Sequence, residues 1–283
     1  MSANDADPST APWLELLELV DQAAGDPAWR SAVPAPGGTG DGRPLLDGVT
    51  LALDARRLQR WASRLLDSAA RNGGPAATLA GSADRLDVGR LFGAAVTADA
   101  ARVRTLARDV GIDADALAAV AALLPAPLLR ACAAAWAAAV PTSWDGGHCP
   151  ICGAWPTLAE ARGLDRSRQL RCGGCGGDWK TAWLRCPFCG NSDHERLRVL
   201  APAEAHEQRR VEACDACAGY IKTFTTLTAR PAADVMRQDL GSIELDIAAL
   251  ERGYQRPERA AVSDLDVRVV LHERRAWGLL TRR

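Results

Sequence analysis

Apolar residues in the first half of the chain recur with the period of an α-helix. The positions that carry this period are Trp13, Leu16, Leu17, Val20, Leu58, Trp61, Leu65 and Leu66. Their spacing predicts one helix that begins near Pro12 and a second that ends before the Asn-Gly-Gly-Pro run at 72–75. Further helices are predicted over 97–110 and 113–140. Residues 1–146 are therefore expected to form an all-α domain whose leucines and tryptophans fill the core.

After Pro141 the pattern changes to glycine, cysteine and short runs of alternating apolar and charged residues. This alternation predicts strands over 179–185, 196–200, 208–213 and 220–225. The helical period returns near Leu240, and Gly253 is expected to end that helix. The predicted fold class is α+β. Its parts are a helical domain (1–146), two tandem small β modules (147–183 and 184–230) and a C-terminal helical segment (231–283).

The chain is nearly neutral, with 34 Lys and Arg against 35 Asp and Glu. That balance does not favour binding to nucleic acid or to an anionic membrane. No uninterrupted apolar stretch reaches the roughly 18 residues of a membrane-spanning helix, because prolines and Arg130 interrupt the candidate over 117–140. The first residues lack a basic segment followed by an apolar run, so a cytoplasmic location is expected.

Eight of the nine cysteines lie in four Cys-x-x-Cys pairs. The pairs are Cys149 and Cys152, Cys172 and Cys175, Cys186 and Cys189, and Cys214 and Cys217. Thiols are kept reduced in the cytosol, so clustered cysteines there are typically metal ligands or redox groups. Two intervening residues allow a tight turn, here called a knuckle, to direct both thiolates at one ion. The eight cysteines are therefore predicted to bind metal.

An internal repeat indicates which knuckles share an ion. The first and third pairs have the sequence CPxCG. The second and fourth pairs each begin four residues after an arginine and are followed by a glycine and a lysine. The unit thus occurs twice. It predicts one four-thiolate site from the first two pairs and another from the last two. A cross-braced arrangement, in which the first and third pairs share an ion, stays open, whereas disulfides and a thioredoxin-like redox motif fit this context less well.

Spacing alone does not decide between zinc and iron, since both accept four thiolates in a tetrahedron. Four cysteines per ion leave no open coordination position, which disfavours Lewis-acid catalysis. The chain also shows no Ser/His/Asp order, phosphate loop or dinucleotide fingerprint in its required context, so no catalytic residue is predicted. His148 and His194 are not needed as ligands, and Cys132 is expected to be a buried small side chain.

The charge of the metal-binding region separates two classes of partner. Residues 149–230 hold 12 Lys and Arg against 9 Asp and Glu, a formal +3. Eight thiolates with two zinc or two ferric ions change this to −1 or +1. A near-neutral module is a poor phosphate binder, so the charge favours a protein partner over nucleic acid.

Five segments together resemble the bacterial FdhE family of formate dehydrogenase accessory proteins. They are CPICG at 149–153, LRCGGCGGDWK at 170–180, LRCPFCG at 184–190, VEACDACAGYIK at 211–222 and LDIAALERGY at 245–254. All eight cysteines of the motifs are present. The fourth knuckle departs from the other three, because Ala218 stands where they have glycine.

The resemblance implies two rubredoxin-like modules with iron as the bound metal, one Fe³⁺ ion in each, and zinc as the alternative or substituted metal. It also implies a cytoplasmic protein that binds the catalytic subunit of a formate dehydrogenase and assists its maturation without oxidising formate. Two other hypotheses stay open at this point. One is a zinc-ribbon protein that binds nucleic acid, and the other is an electron carrier of rubredoxin type.

Overall fold

The structure is a computed structural model that describes residues 10–38, 42–200, 208–257 and 260–273. The helices of its first half are α1 (Ala11–Ala24), α2 (Pro27–Ser31), α3 (Ala55–Ala70), α4 (Val88–Val96), α5 (Ala100–Asp109), α6 (Ala114–Ala121) and α7 (Ala126–Trp136). The predicted helices after Pro12, before 72–75 and over 97–110 are confirmed as α1, α3 and α5. Asp26, Asp54, Asp87, Asp99 and Asp113 each accept a backbone N–H bond at a helix start.

The single helix predicted over 113–140 is wrong, because the chain turns between α6 and α7. Pro125 ends the ladder of helix hydrogen bonds by its missing N–H. By length and composition alone, Ala114–Ala139 could cross a membrane, but 67% of its most apolar window is buried inside the protein. The indole Nε1 of Trp61 in α3 donates to the Leu124 carbonyl at this turn. The alanine-rich stretch is therefore a core element.

The first half also contains a strand, so the expectation of an all-α domain over 1–146 is wrong. Strand β1 (Val49–Asp54) pairs in parallel with β8 (Val267–His272) from the far end of the chain. Val49, Leu51 and Leu53 are buried and alternate with more exposed residues. The segment over 231–283 is likewise not helical throughout, because β8 ends its described part. A parallel partner so distant in sequence leaves no local signal near β1.

The metal-binding region forms one six-stranded sheet instead of two separate sheets. Its strands are β2 (Leu158–Arg162), β3 (Ser167–Arg171), β4 (Asp178–Lys180), β5 (Leu197–Leu200), β6 (Arg209–Cys214) and β7 (Gly219–Thr226). The order across the sheet is β4-β3-β2-β7-β6-β5. Within each group of three the strands are antiparallel, and a parallel pairing of β2 with β7 joins the groups. The repeat in the sequence thus corresponds to two groups of three strands, and the two groups lie side by side in one sheet.

Three of the four predicted strands are confirmed, and they correspond to β5, β6 and β7. The strand predicted over 179–185 is wrong after Lys180, where β4 ends. Strands β2 and β3 were not predicted, because charged residues interrupt their apolar pattern. Glu160 in β2 is fully buried, and its two oxygens accept from Arg162 and Arg171 at 2.6 and 2.5 Å. A buried ion pair therefore occupies core positions that apolar periodicity cannot reveal.

Helices α8 (Ala232–Leu240) and α9 (Ile243–Leu250) cover one face of the sheet. The apolar residues of this layer are Leu158, Val211, Ala213, Tyr220, Phe224, Val235, Leu245 and Ala249. The predicted C-terminal helix is confirmed but divided at Gly241, and Gly253 ends it with a φ of +82°. The main core, in contrast, runs without a break from the N-terminal helices to the first cysteines. The boundary between a helical domain that ends at 146 and a metal-binding module that begins at 147 stays a prediction.

Candidate metal centres

The first two knuckles bring four sulfurs together; we call this cluster site 1. It comprises Cys149, Cys152, Cys172 and Cys175, whose sulfurs all lie within 4.8 Å of one another. Two contacts across the cluster, Cys149 to Cys175 and Cys152 to Cys172, measure 3.5 Å. A tetrahedral ion with metal–sulfur bonds of about 2.3 Å would hold its sulfurs about 3.8 Å apart. The four sulfurs therefore fit a tetrahedral thiolate site.

The third and fourth knuckles form site 2, which comprises Cys186, Cys189, Cys214 and Cys217. Its sulfur contacts, Cys186 to Cys217 at 3.7 Å and Cys189 to Cys214 at 3.8 Å, match the same tetrahedral spacing. The knuckles thus pair in sequence order, and the cross-braced alternative is wrong. All nine cysteines are free of disulfide bonds.

The backbone of the knuckles explains why glycine follows three of the four pairs. Gly153, Gly176 and Gly190 have φ values of 74°, 76° and 75°, and the N–H of each donates to the carbonyl of the first cysteine of its pair. Glycine adopts this left-handed conformation at no steric cost. Ala218 adopts the same region with a φ of 54°. The fourth knuckle therefore keeps its geometry without the glycine, with backbone strain at Ala218.

Site 1 is enclosed by elements from both ends of the chain. Its four cysteines are each 4% exposed or less. The backbone N–H groups of Leu45 and Leu46 donate to the carbonyls of Pro150 and Ile151 in the first knuckle, at 2.8 and 2.9 Å. On the other side, the start of α8 packs against the second knuckle at Gly176. Site 1 therefore links the N-terminal helices, the sheet and α8.

Site 2 lies at the protein surface. Cys186 and Cys214 are buried, but Cys189 and Cys217 are exposed. The amide of Asn191 donates to the Cys214 sulfur at 3.7 Å. The two sites thus have the same ligands but differ in the access that solvent has to their sulfurs.

Within each site the environment shifts the pKa values of different cysteines in opposite directions. Burial raises the pKa of Cys149 and of Cys186 well above the ordinary thiol value. The pKa of Cys172 is lowered by hydrogen bonds from Cys149 and the other thiols of site 1. At Cys189, burial raises the pKa, but the Asn191 backbone N–H and the neighbouring thiols lower it more. Each cluster can therefore release a proton and present negative charge to a cation.

The other sequence candidates lie outside both clusters. The Nε2 atom of His148 lies 3.2 Å from the carbonyl oxygen of Gly42, and its ring packs edge-on against Trp144. His194 begins a short 3₁₀ turn before β5. Cys132 is fully buried in α7, and burial raises its pKa to about 12.

A groove beside site 2 was not predicted from the sequence. Its volume is about 460 Å³, and it runs between the 183–188 segment and the face of β5, β6 and β7. Trp183 and Leu184 form one wall. The alternation over 179–185 predicts a half-buried strand, but β4 ends at Lys180, so Trp183 and Leu184 lie in a segment outside the sheet.

Comparison with known proteins gives a consistent result. Residues 184–262 match the family model described as "FdhE, C-terminal domain". Curated relatives named "Protein FdhE homolog" include one from Aquifex aeolicus, 29% identical over 119 residues that cover 41% of this chain and 41% of the relative. Another, from Pseudomonas aeruginosa, is 34% identical over 115 residues that cover 38% of this chain and 37% of the relative. The matched part thus spans about two fifths of the length of these curated relatives.

A solved structure extends the likeness to most of the chain. "The crystal structure of the FdhE protein from Pseudomonas aeruginosa" superposes with a TM-score of 0.52 and covers 90% of this chain and 96% of that chain. At 22% identity this match shows the shared fold. The family model over residues 184–262, the curated relatives and the solved fold agree with the motifs around the eight cysteines, and together they support placement of this chain in the FdhE family.

Proposed function

We propose that this protein is an accessory factor needed for the maturation or activity of formate dehydrogenase, and that it binds the catalytic subunit of that enzyme in the cytoplasm. The observation that supports this most directly is the pair of four-cysteine clusters held on one sheet in a chain that matches the FdhE family. Four protein ligands per ion leave no position for a substrate. The protein would accordingly act through binding and not as an enzyme.

Each cluster would hold one ferric ion in a rubredoxin-like site, with zinc as the alternative metal. The sulfur spacing suits either ion, because both bind four thiolates tetrahedrally. Metal analysis and an absorption spectrum of protein purified without oxygen decide between them. Iron gives a red protein with thiolate-to-iron absorption, whereas a colourless protein with two zinc ions would overturn the assignment of iron.

A deletion strain tests the proposed role. Loss of this protein should lower formate dehydrogenase activity while the amount of the catalytic subunit stays the same. Wild-type protein should restore the activity, and Cys132→Ser should restore it equally, since Cys132 lies outside both clusters. Unchanged activity in the deletion strain would contradict the proposal.

A second candidate function, electron transfer, is favoured by one observation. The residues Cys189 and Cys217 are exposed, so an iron ion in site 2 would lie close to the protein surface, within reach of a redox partner. A reversible one-electron couple assigned to site 2, together with reduction by a physiological donor, would support this function. A zinc protein without such a couple would exclude it.

A further inference from the structure

The groove beside site 2 lies on a sheet face that the helices leave open. Helices α8 and α9 cover the opposite face, which carries Val211 and Tyr220. Neighbouring residues of a strand point to opposite faces, so Leu197, Val199, Glu212 and Ile221 share the groove side. Val199 is 62% exposed.

The second wall of the groove is apolar and held in place by a buried arginine. Leu184 is 62% exposed and Trp183 is 37% exposed, although both are large apolar side chains. The guanidinium of Arg168 is buried and donates to the carbonyls of Ala182 and Arg185, both at 3.1 Å, and it also pairs with Glu212 at 2.8 Å. This wall is therefore fixed, and its exposed apolar residues form a preformed contact surface.

Arginines outnumber carboxylates among the residues that line the groove. Its charged lining residues are Arg168, Arg185, Arg198, Arg210 and Glu212. Glu212 is already paired with two of these arginines, Arg168 and Arg210. The other two lie at opposite sides of the rim: Arg185, on the groove side, pairs with Asp145, and Arg198, on the opposite face of β5, pairs with Asp215. Such exposed pairs are weak, so a ligand carboxylate can replace them.

The open edge of β5 offers backbone groups next to the groove. The Asp215 N–H donates to the Arg196 carbonyl. This bond shows which residues of β5 direct their backbone N–H and C=O groups at β6, because every second residue of an antiparallel strand does so. By that alternation, the C=O of Leu197 and the N–H and C=O of Val199 point away from β6 and are open to a partner strand, whereas the Leu197 N–H donates to the His194 carbonyl. Among the described residues no strand pairs with this edge.

The repeat shows what such an edge accepts. Strand β5 is the first strand of the second group of three, as β2 is of the first group. The edge of β2 that corresponds to the open edge of β5 is paired in parallel with β7. The open edge of β5 in the second module therefore corresponds to the edge of β2 that pairs with a parallel strand in the first module.

We infer that this edge and groove bind an extended, acidic segment of a partner protein, which adds to β5 as a parallel strand. Its apolar side chains would occupy the groove against Trp183, Leu184 and Val199. The carboxylates that alternate with them would face Arg198 on the other side of the strand, and a carboxylate at the end of the segment would reach Arg185. Strand addition of this kind derives affinity from the backbone and specificity from alternate side chains. The inference is independent of the formate dehydrogenase proposal, since its test uses no part of that enzyme.

Fluorescence anisotropy of the metal-loaded full chain tests the inference with fluorescein-labelled peptides. The probe alternates glutamate with valine or leucine (Glu-Val-Glu-Leu-Glu-Val-Glu). One comparison peptide replaces each glutamate by lysine, and a second carries N-methyl groups on the backbone amides of alternate residues. We expect saturable binding of the acidic peptide and binding weaker by about tenfold or more for both comparison peptides.

A charge-reversal variant tests the rim. The double substitution Arg185→Glu and Arg198→Glu should weaken binding of the acidic peptide by about tenfold. The matched control, Arg64→Glu and Arg108→Glu, changes the net charge equally at exposed positions outside the groove and should leave binding unchanged. Metal content and thermal melting of both variants confirm that the fold is retained.

Three results would overturn the inference. They are no saturable binding of the acidic peptide up to about 1 mM, equal binding of the acidic and lysine peptides, and equal loss of affinity in the rim variant and its control. Self-association in sedimentation experiments that the rim variant abolishes would assign the groove to a second copy of this chain instead.

Discussion

A β-carbon added to Gly176 would come within 2.2 Å of the Ala232 β-carbon. The second knuckle of site 1 thus contacts the first residue of α8, and the contact leaves no space for a side chain at position 176. Gly190 in site 2 has nearly the same φ, 75° against 76°, but the nearest atom to its added β-carbon is the end of the Arg185 side chain at 3.9 Å. The two glycines therefore share a backbone conformation and differ in their surroundings.

This pair of glycines gives the first prediction. Gly190→Ala should cost about 1 kcal/mol of unfolding free energy, because a left-handed alanine is strained. Gly176→Ala should cost about 3 kcal/mol or more, because the clash with α8 adds to the same strain. Denaturant unfolding of the metal-loaded protein measures both. Adding Ala232→Gly to Gly176→Ala should recover part of the loss, and equal losses at both glycines would contradict the packing of α8 on site 1.

The difference in burial predicts that the two sites react at different rates. Cys189 and Cys217 should be alkylated by iodoacetamide before the four cysteines of site 1, because these two residues are exposed whereas the cysteines of site 1 are buried. Site 1 has to open by local unfolding before reagent enters. A chelator should accordingly remove metal in two phases, the first from site 2. Peptide mapping by mass spectrometry identifies the alkylated positions, and simultaneous modification of both sites would contradict the expected order.

Ala218 offers a stabilising substitution. Ala218→Gly should raise the unfolding free energy by about 0.5–1 kcal/mol, since release of the left-handed strain exceeds the added chain entropy of glycine. Ala98, with a φ of 53°, is a matched control outside the metal region, and Ala98→Gly should have a similar effect. Thermal unfolding compares the two variants. A loss of stability in Ala218→Gly alone would show that the alanine methyl group contributes to the fourth knuckle.

The buried Lys222 should be essential for the attachment of α8 and α9 to the sheet. Its ammonium group is fully buried and pairs with Asp239 at 2.8 Å and Asp246 at 2.7 Å. Lys222→Met should cost about 3 kcal/mol, because it removes the buried cation between two partly buried carboxylates and leaves Arg256 as their remaining charged partner.

An exposed ion pair between β6 and α9 is the control for this prediction. Arg209 and Glu244 pair at 2.8 Å, and their side chains are 39% and 51% exposed. Arg209→Met should cost less than about 1 kcal/mol. Equal effects of the two substitutions in a denaturant titration would contradict the role of burial at Lys222.

The sequence predicted the elements whose signal is local. The helices α1, α3 and α5 follow from apolar stripes, and the strands β5, β6 and β7 follow from short alternation. The two ligand sets follow from the repeat of Cys-x-x-Cys units, because a knuckle is formed by adjacent residues. Strands β2 and β3 were missed because Glu160 and Arg171 form an ion pair inside the core, and β1 was missed because β8 lies far away in the sequence.

By itself the sequence determined the type of chemistry, namely eight thiolates in two sets of four on small β units, and the resemblance to the FdhE family. Only the tertiary structure decided how the two sets differ. Contacts of Leu45 and Leu46 on one side and of α8 on the other bury site 1, whereas Cys189 and Cys217 stay exposed in the part of the chain that the structure describes. The joining of both modules into one sheet and the open groove beside β5 also arise from pairing between distant segments. Burial and strand pairing of this kind depend on residues far apart in the chain, and therefore local sequence patterns do not predict them.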